Sequence, residues 1–147
     1  MGAYWGMDWA WGLPLIVLTV VIHAYSLGLI NEAFKSMLTR AAQLRNLPVA
    51  STFVTGVTVL SVVMLHGFEC FIWAGAYRFL GALNDSKSAI LYSLNAMTSY
   101  GHENLNLAPR WQMMGALEAL DGWILFGLTT AFLFTVMQRV VAHLETN

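Results

Sequence analysis

The sequence is short of charge. Only ten per cent of its residues are Asp, Glu, Lys or Arg, against fifty-eight per cent hydrophobic, where a soluble domain carries roughly a quarter charged residues. With a positive mean hydropathy, that balance excludes an ordinary soluble protein and fits one compact integral membrane domain. There is no basic patch, and the net charge is near zero, so nucleic acid is not an expected partner. The lone Cys70 lies in an apolar run; it excludes an internal disulfide and leaves the redox compartment unread. The amino-terminal stretch carries Asp8 and no Lys or Arg, so the basic region of a cleaved signal peptide is missing and none is expected. Internal repeats and low-complexity segments are absent too.

What is present is apolar run after apolar run. Tyr4, Trp5, Trp9 and Trp11 concentrate aromatics at the start, as at the lipid–water mouth of a span. The first run, about 12–30, has roughly the ~20 residues a bilayer core requires, with Pro14 in its first turn, where a missing N–H costs little. A lone His23 within it reads as a packing residue. Residues 31–50 read as a polar connector with Lys35, Arg40 and Arg45 against Glu32, a short basic loop of the kind found on the cytoplasmic side. Pro48 precedes a second run, about 52–80, and Pro109 a third, about 111–141. Three spans then place the amino terminus outside and the carboxyl terminus inside. The chain divides into a first helix with its connector, 1–50, and a second part, 51–147.

Between the last two spans lies a stretch too polar to cross a membrane, residues 84–103. Asn84 or Asp85 can cap a short helix in which Ile90, Leu91 and Leu94 repeat at helical spacing. Thr98-Ser99-Tyr100-Gly101-His102 follows, small and glycine-containing, suited to backbone that leaves helical geometry. A short helix and then an irregular loop between two spans is the pattern of a re-entrant pore loop. Such backbone is tolerated at membrane depth only where protein or a water-filled cavity satisfies it.

Ionisable residues inside the runs are few. His66 and Glu69 stand three apart on the second, Glu118 and Asp121 three apart on the third, each pair on one helix face. Carboxylates there are expensive unless paired or protonated. Glu69, Glu118 and Asp121 are expected to support the loop, accepting hydrogen bonds from it or pairing with Arg110 or Arg78. A di-iron bundle would need Glu-x-x-His motifs on two helices; one His-x-x-Glu pair is weak support for a metal or an enzyme. No span carries arginine at every third position, so a voltage sensor of the usual kind is not expected.

From about His66 to Arg139 the sequence resembles the pore module of two-transmembrane-helix potassium channels and their bacterial relatives. His66-Gly67-Phe68-Glu69 with Trp73-Ala74 and Tyr77 is similar to an outer helix of that family. Tyr100-Gly101-His102 stands where its selectivity filter ends in Tyr-Gly-Asp. Glu118-Ala119-Leu120-Asp121-Gly122 and Phe126-Gly127-Leu128-Thr129-Thr130-Ala131 are similar to its inner helix, with Gly122 as the hinge. The resemblance implies an all-α membrane protein with three transmembrane helices plus a re-entrant pore helix and filter loop, assembled as a tetramer around an axis. It implies a filter of Met97, Thr98, Ser99, Tyr100, Gly101 and His102, whose carbonyls replace the hydration shell of a cation. Trp123, Phe126, Thr130, Phe134 and Gln138 would line the pathway, with Phe134 a hydrophobic constriction.

Where the family filter reads Thr-Val-Gly-Tyr-Gly-Asp, this chain has Met97-Thr98-Ser99-Tyr100-Gly101-His102. Met97 lacks the hydroxyl of an innermost ligand, Ser99 puts a side chain at a left-handed position, and His102 replaces an acid at the mouth with a group that titrates near neutrality. The expected function is a cation channel subunit in a bacterial inner membrane, passing potassium or other monovalent cations such as sodium, with no cofactor, no bound metal and no enzymatic activity. Its partners would be the bilayer and three copies of itself. Two alternatives stand beside it: a membrane-embedded metal or redox protein using His66, Glu69 and Glu118, and a non-conducting pore-like subunit.

Overall fold

The computed structural model describes residues 2–43, 47–101 and 105–145. His102 and Arg45, to which the sequence assigns roles, lie outside the described residues. The chain is helical, with no strand among the described residues. Its elements are α1 (Gly2–Ala41), α2 (Leu47–Phe79), α3 (Ser86–Met97) and α4 (Gln112–Glu145), the last preceded by a 3-10 turn at Pro109–Trp111. With 40, 33 and 34 residues, α1, α2 and α4 each exceed the roughly 20 needed to cross a bilayer core. All three are apolar enough to do so. Large apolar side chains also stay exposed along them, among them Val17, Tyr25, Phe53, Met64, Phe79 and Phe134. A soluble monomer does not expose apolar surface on that scale; an integral membrane protein does.

Two sequence expectations change. Pro14 falls inside α1 rather than in its first turn, because the helix begins at Gly2; apolar spanning helices tolerate such a residue when neighbours resatisfy the freed carbonyl. The expected polar connector is also mostly helix, since α1 runs on to Ala41. Phe34, Leu38 and Ala41 recur at three- and four-residue spacing and are buried, while Glu32 and Lys35 form a surface ion pair at 2.7 Å. The charges of that segment occupy one side of an amphipathic turn, which a count of polar residues reads as a loop.

The helices contribute to two compact units. One comprises residues 1–22 and 66–126, the other 23–65 and 127–147. These units do not follow the division into 1–50 and 51–147 expected from the sequence. In the second unit Phe34, Leu38 and Ala41 pack with Val54, Val136 and Val140. Arg139 donates to Asn31 at 2.6 Å, and His23 and Thr129 are hydrogen-bonded at 3.0 Å, the packing role expected of that histidine.

The first unit holds α3. Its core runs from Cys70, Trp73 and Tyr77 on α2, through Tyr92 and Met97 on α3, to Met114 and Leu125 on α4. The loop after α2 turns at Gly81, whose φ of +63° suits a residue without a Cβ. The return segment is stitched to it: the Ala108 amide donates to the Ala82 carbonyl at 3.2 Å and Arg110 to the Leu80 carbonyl at 3.3 Å. At the other edge Asp8 accepts from the Met114 amide at 3.2 Å, one of the first-turn N–H groups that a helix cannot satisfy itself.

Candidate functional site

The site is the end of α3 and what holds it. Asp85 caps the start: with extended backbone (φ −118°, ψ 134°) it accepts the Ser88 amide at 2.8 Å. That amide bond holds the Asp85 carboxyl below its ordinary value. Ala89, Tyr92, Ser93, Ala96 and Met97 are buried, whereas Ile90, Leu91 and Leu94 face outward. The expected helix is there, and its inner face combines the small Ala89, Ser93 and Ala96 with Tyr92 and Met97. The absence of a side chain at Gly115 of α4 makes room for Tyr92: a Cβ there would lie 2.1 Å from the Tyr92 hydroxyl.

At its C-terminus the helix closes in a Schellman motif. The Ser99 amide donates to the Ala96 carbonyl and the Tyr100 amide to the Asn95 carbonyl, both at 2.9 Å, satisfying acceptors the helix leaves open. The residue that must be left-handed in this motif is usually glycine; here Ser99 takes it, at φ +54°. Thr98 before it is right-handed at φ −86°, Tyr100 is not left-handed, and Gly101 is at φ +98°. The sign of φ therefore alternates over 98–101.

Three residues of α4, Glu118, Gly122 and Trp123, touch α3 or its end, and a fourth, Asp121, ties α4 to α2 and α1. Both Glu118 oxygens are engaged, one by the Tyr77 hydroxyl at 2.6 Å, the other by the Ser93 hydroxyl; Ser93 also lies 2.9 Å from the Cys70 carbonyl. Asp121 Oδ2 accepts from the Trp73 indole at 2.9 Å and from the Thr19 hydroxyl of α1 at 2.7 Å. Gly122 lies under the Met97 carbonyl, so that a Cβ there would sit 2.1 Å from its oxygen. Trp123 donates from its indole to Ser99 Oγ at 3.1 Å. Glu118 and Asp121 are fully buried, and such groups persist in low dielectric only with donors around them.

The expected residues are thus partly assembled. Glu118 bonds to Tyr77 of α2 and Ser93 of α3 and Asp121 to Trp73 of α2 and Thr19 of α1, neither to the loop itself, whereas Arg78 and Arg110 are occupied with carbonyls of 80–84. Glu69 is fully buried beside His66, with Nδ1 to Oε2 at 3.4 Å. Gly122 has a packing requirement in addition to any hinge role, since α4 is continuous through it. Met97 turns its carbonyl to Gly122 and its sulfur to Cys70, 3.5 Å away. Trp123, Phe126, Thr130, Phe134 and Gln138 are all exposed along α4.

Sequence reasoning missed Ser93, Tyr77, Trp73 and Thr19 as partners of the buried acids. Ser93 had a weak signal, a hydroxyl among the small residues Ala89 and Ala96. Thr19 had none, because a threonine in an apolar helix can satisfy itself on its own backbone, as it does here toward Leu15 and Ile16. No protein-family model, curated protein or solved structure matches the chain.

Proposed function

We propose that the chain is a subunit of a cation channel, in which four copies place residues 98–101 around a shared axis and α3 is a re-entrant pore helix. The alternating sign of φ over 98–101 supports this most directly, because backbone of that kind can present a row of carbonyls. Repeated around an axis, it becomes a stack of oxygen rings that can replace the water around a cation. A single loop cannot enclose a pathway, whereas a closed ring of identical copies can. The C-terminal end of α3 carries partial negative charge, which favours cations over anions at the same place.

With the Met97 carbonyl turned to Gly122, the ligating row starts at Thr98 and continues through Ser99, Tyr100 and Gly101. Potassium and sodium are the permeant ions this short row suits, since discrimination depends on the number and field strength of the oxygens an ion meets. The basic Lys35 and Arg40 favour a cytoplasmic side for the α1–α2 connection, in a bacterial inner membrane with residues 80–111 and the amino terminus outside. Purified protein in planar bilayers should pass cations and not chloride. In mixed potassium and sodium the reversal potential should lie nearer zero than for a variant with Met97→Thr and Ser99→Gly combined. Chloride current, or no current under any gradient, would sink the proposal.

A further inference from the structure

The buried acid Asp121 does something that Glu118 does not: it reaches out of the α2–α3–α4 group to α1. Residues close to it in sequence touch α3 or the loop that follows. Gly122 lies under the Met97 carbonyl, Trp123 donates to Ser99, and Glu118, one turn back, takes the Ser93 hydroxyl. Successive helical residues are about 100° apart, so fixing the azimuth of residue 121 fixes those of 122 and 123. Were α4 to rotate about its own axis, the Gly122 face would leave Met97 and the Trp123 indole would leave Ser99. Asp121 is one of the points that oppose such a rotation, held by Trp73 of α2 and Thr19 of α1.

Other contacts between α1 and α4 run in the same order along both helices. Asp8 meets the Met114 amide at 3.2 Å, Gly12 lies against Leu117 so closely that a Cβ would sit 2.5 Å from Cδ1, and Thr19 meets Asp121. The first segment of α1 is thus laid parallel to the first two turns of α4 and docked at three levels. Of these levels, only the last acts at the height of the loop. The Thr19 hydroxyl has three acceptors in reach, the carbonyls of Leu15 and Ile16 and the Asp121 carboxylate. The carboxyl group is the nearest of them, at 2.7 Å against 2.9 and 3.0 Å.

We propose that Thr19 and Asp121 are positioning residues for the 98–101 loop, and that α1 sets the geometry of the ion pathway rather than serving only as an anchor. This presupposes the channel function proposed above. The test uses the full chain with Thr19→Val, which keeps the shape and removes the donor, and Thr19→Ser, which restores it. Amide hydrogen exchange reads the Ser99 and Tyr100 N–H groups that close the Schellman motif. With Thr19→Val they should exchange about tenfold faster, the loss of one hydrogen bond, while amides in the Phe34–Val54 region keep wild-type rates. The potassium-to-sodium permeability ratio should shift in the same variant, and Thr19→Ser should return both readouts to wild type. Thr39→Val, on the exposed part of α1, should change neither. If Thr19→Val does not fold, Trp73→Phe removes the other donor and should give the same loop-specific acceleration. Unchanged exchange at 99 and 100, or equal acceleration throughout the protein, would overturn the proposal. A wild-type protein that passes no current would refute the channel while the exchange result still decides whether α1 positions the loop.

Discussion

Ser99 and Gly122 have exchanged the properties their places call for. The left-handed backbone at 99, where glycine is the natural occupant, carries a side chain. The mid-helix position 122, where glycine weakens a helix, has none because the Met97 carbonyl is in the way. Both follow from how closely α3 ends against α4. An alanine at 122 would meet the Met97 oxygen at 2.1 Å and its carbonyl carbon at 2.8 Å; these are backbone atoms of a capped helix end and cannot swing aside. Gly122→Ala should therefore cost on the order of 1–3 kcal/mol, the range for overpacking a tight site. Ser99→Gly should instead stabilise by about 1 kcal/mol, by relieving the left-handed side chain, since the indole contact it gives up is exposed. Thermal melts in detergent should show the two variants moving in opposite directions. The left-handed place of Ser99 was expected from the resemblance to a filter, whereas Gly122 was singled out only as a hinge. The neighbour that matters to Gly122 lies on another helix, and no local pattern announces it.

At the scale of the element, α3 was legible as a helix and its orientation was not. Ile90, Leu91 and Leu94 mark the period, and in a soluble domain they would mark the buried side. Here Ala89, Ser93 and Ala96 go inward together with Tyr92 and Met97, and the Tyr92 ring meets Tyr77 of α2 edge to face at 5.3 Å. The start of α3 is set by Asp85, as its capping preference suggested. That cap has a pH dependence whose sign is fixed. The Ser88 amide lowers the folded carboxyl below its unfolded value. Its contribution is therefore complete above the unfolded value and is lost as pH falls through the depressed folded one. An Asp85→Ala variant should melt below the wild type near pH 7, and the gap should close toward about pH 2–3, below the ordinary carboxyl range. Every other acid titrates alike in both proteins and cancels in the difference. An Asp85→Asn variant, which caps without a charge, should hold its advantage over Asp85→Ala across the same range. A gap that widened on acidification would contradict the capping geometry.

For the molecule as a whole, the three long helices were legible from length and apolarity, while the buried acids were legible only as a problem without its solution. The outward face of α3 raises a further question. A helix of 12 residues is about 18 Å long and cannot cross the ~30 Å core of a bilayer, so its flanking loops need protein or water around them at whatever depth it lies. Ile90, Leu91 and Leu94 nevertheless face away from the chain's own core, as do Leu120 and Trp123 of α4. Lipid alone can cover α1 and α2, which are apolar along their length. It cannot also satisfy the polar backbone from Thr98 to Gly101, which lies next to that face. Further copies of the chain can cover the apolar residues and enclose the carbonyls at once. Native mass spectrometry of the protein released from detergent should accordingly find four chains as the main species. Leu94→Glu, on the outward face of α3, should dissociate it, whereas Tyr25→Gln, on the outward face of α1, should leave four. A wild-type protein that stays monomeric across detergents and concentrations, or a tetramer indifferent to Leu94→Glu, would mean that residues 98–101 do not meet their counterparts around an axis.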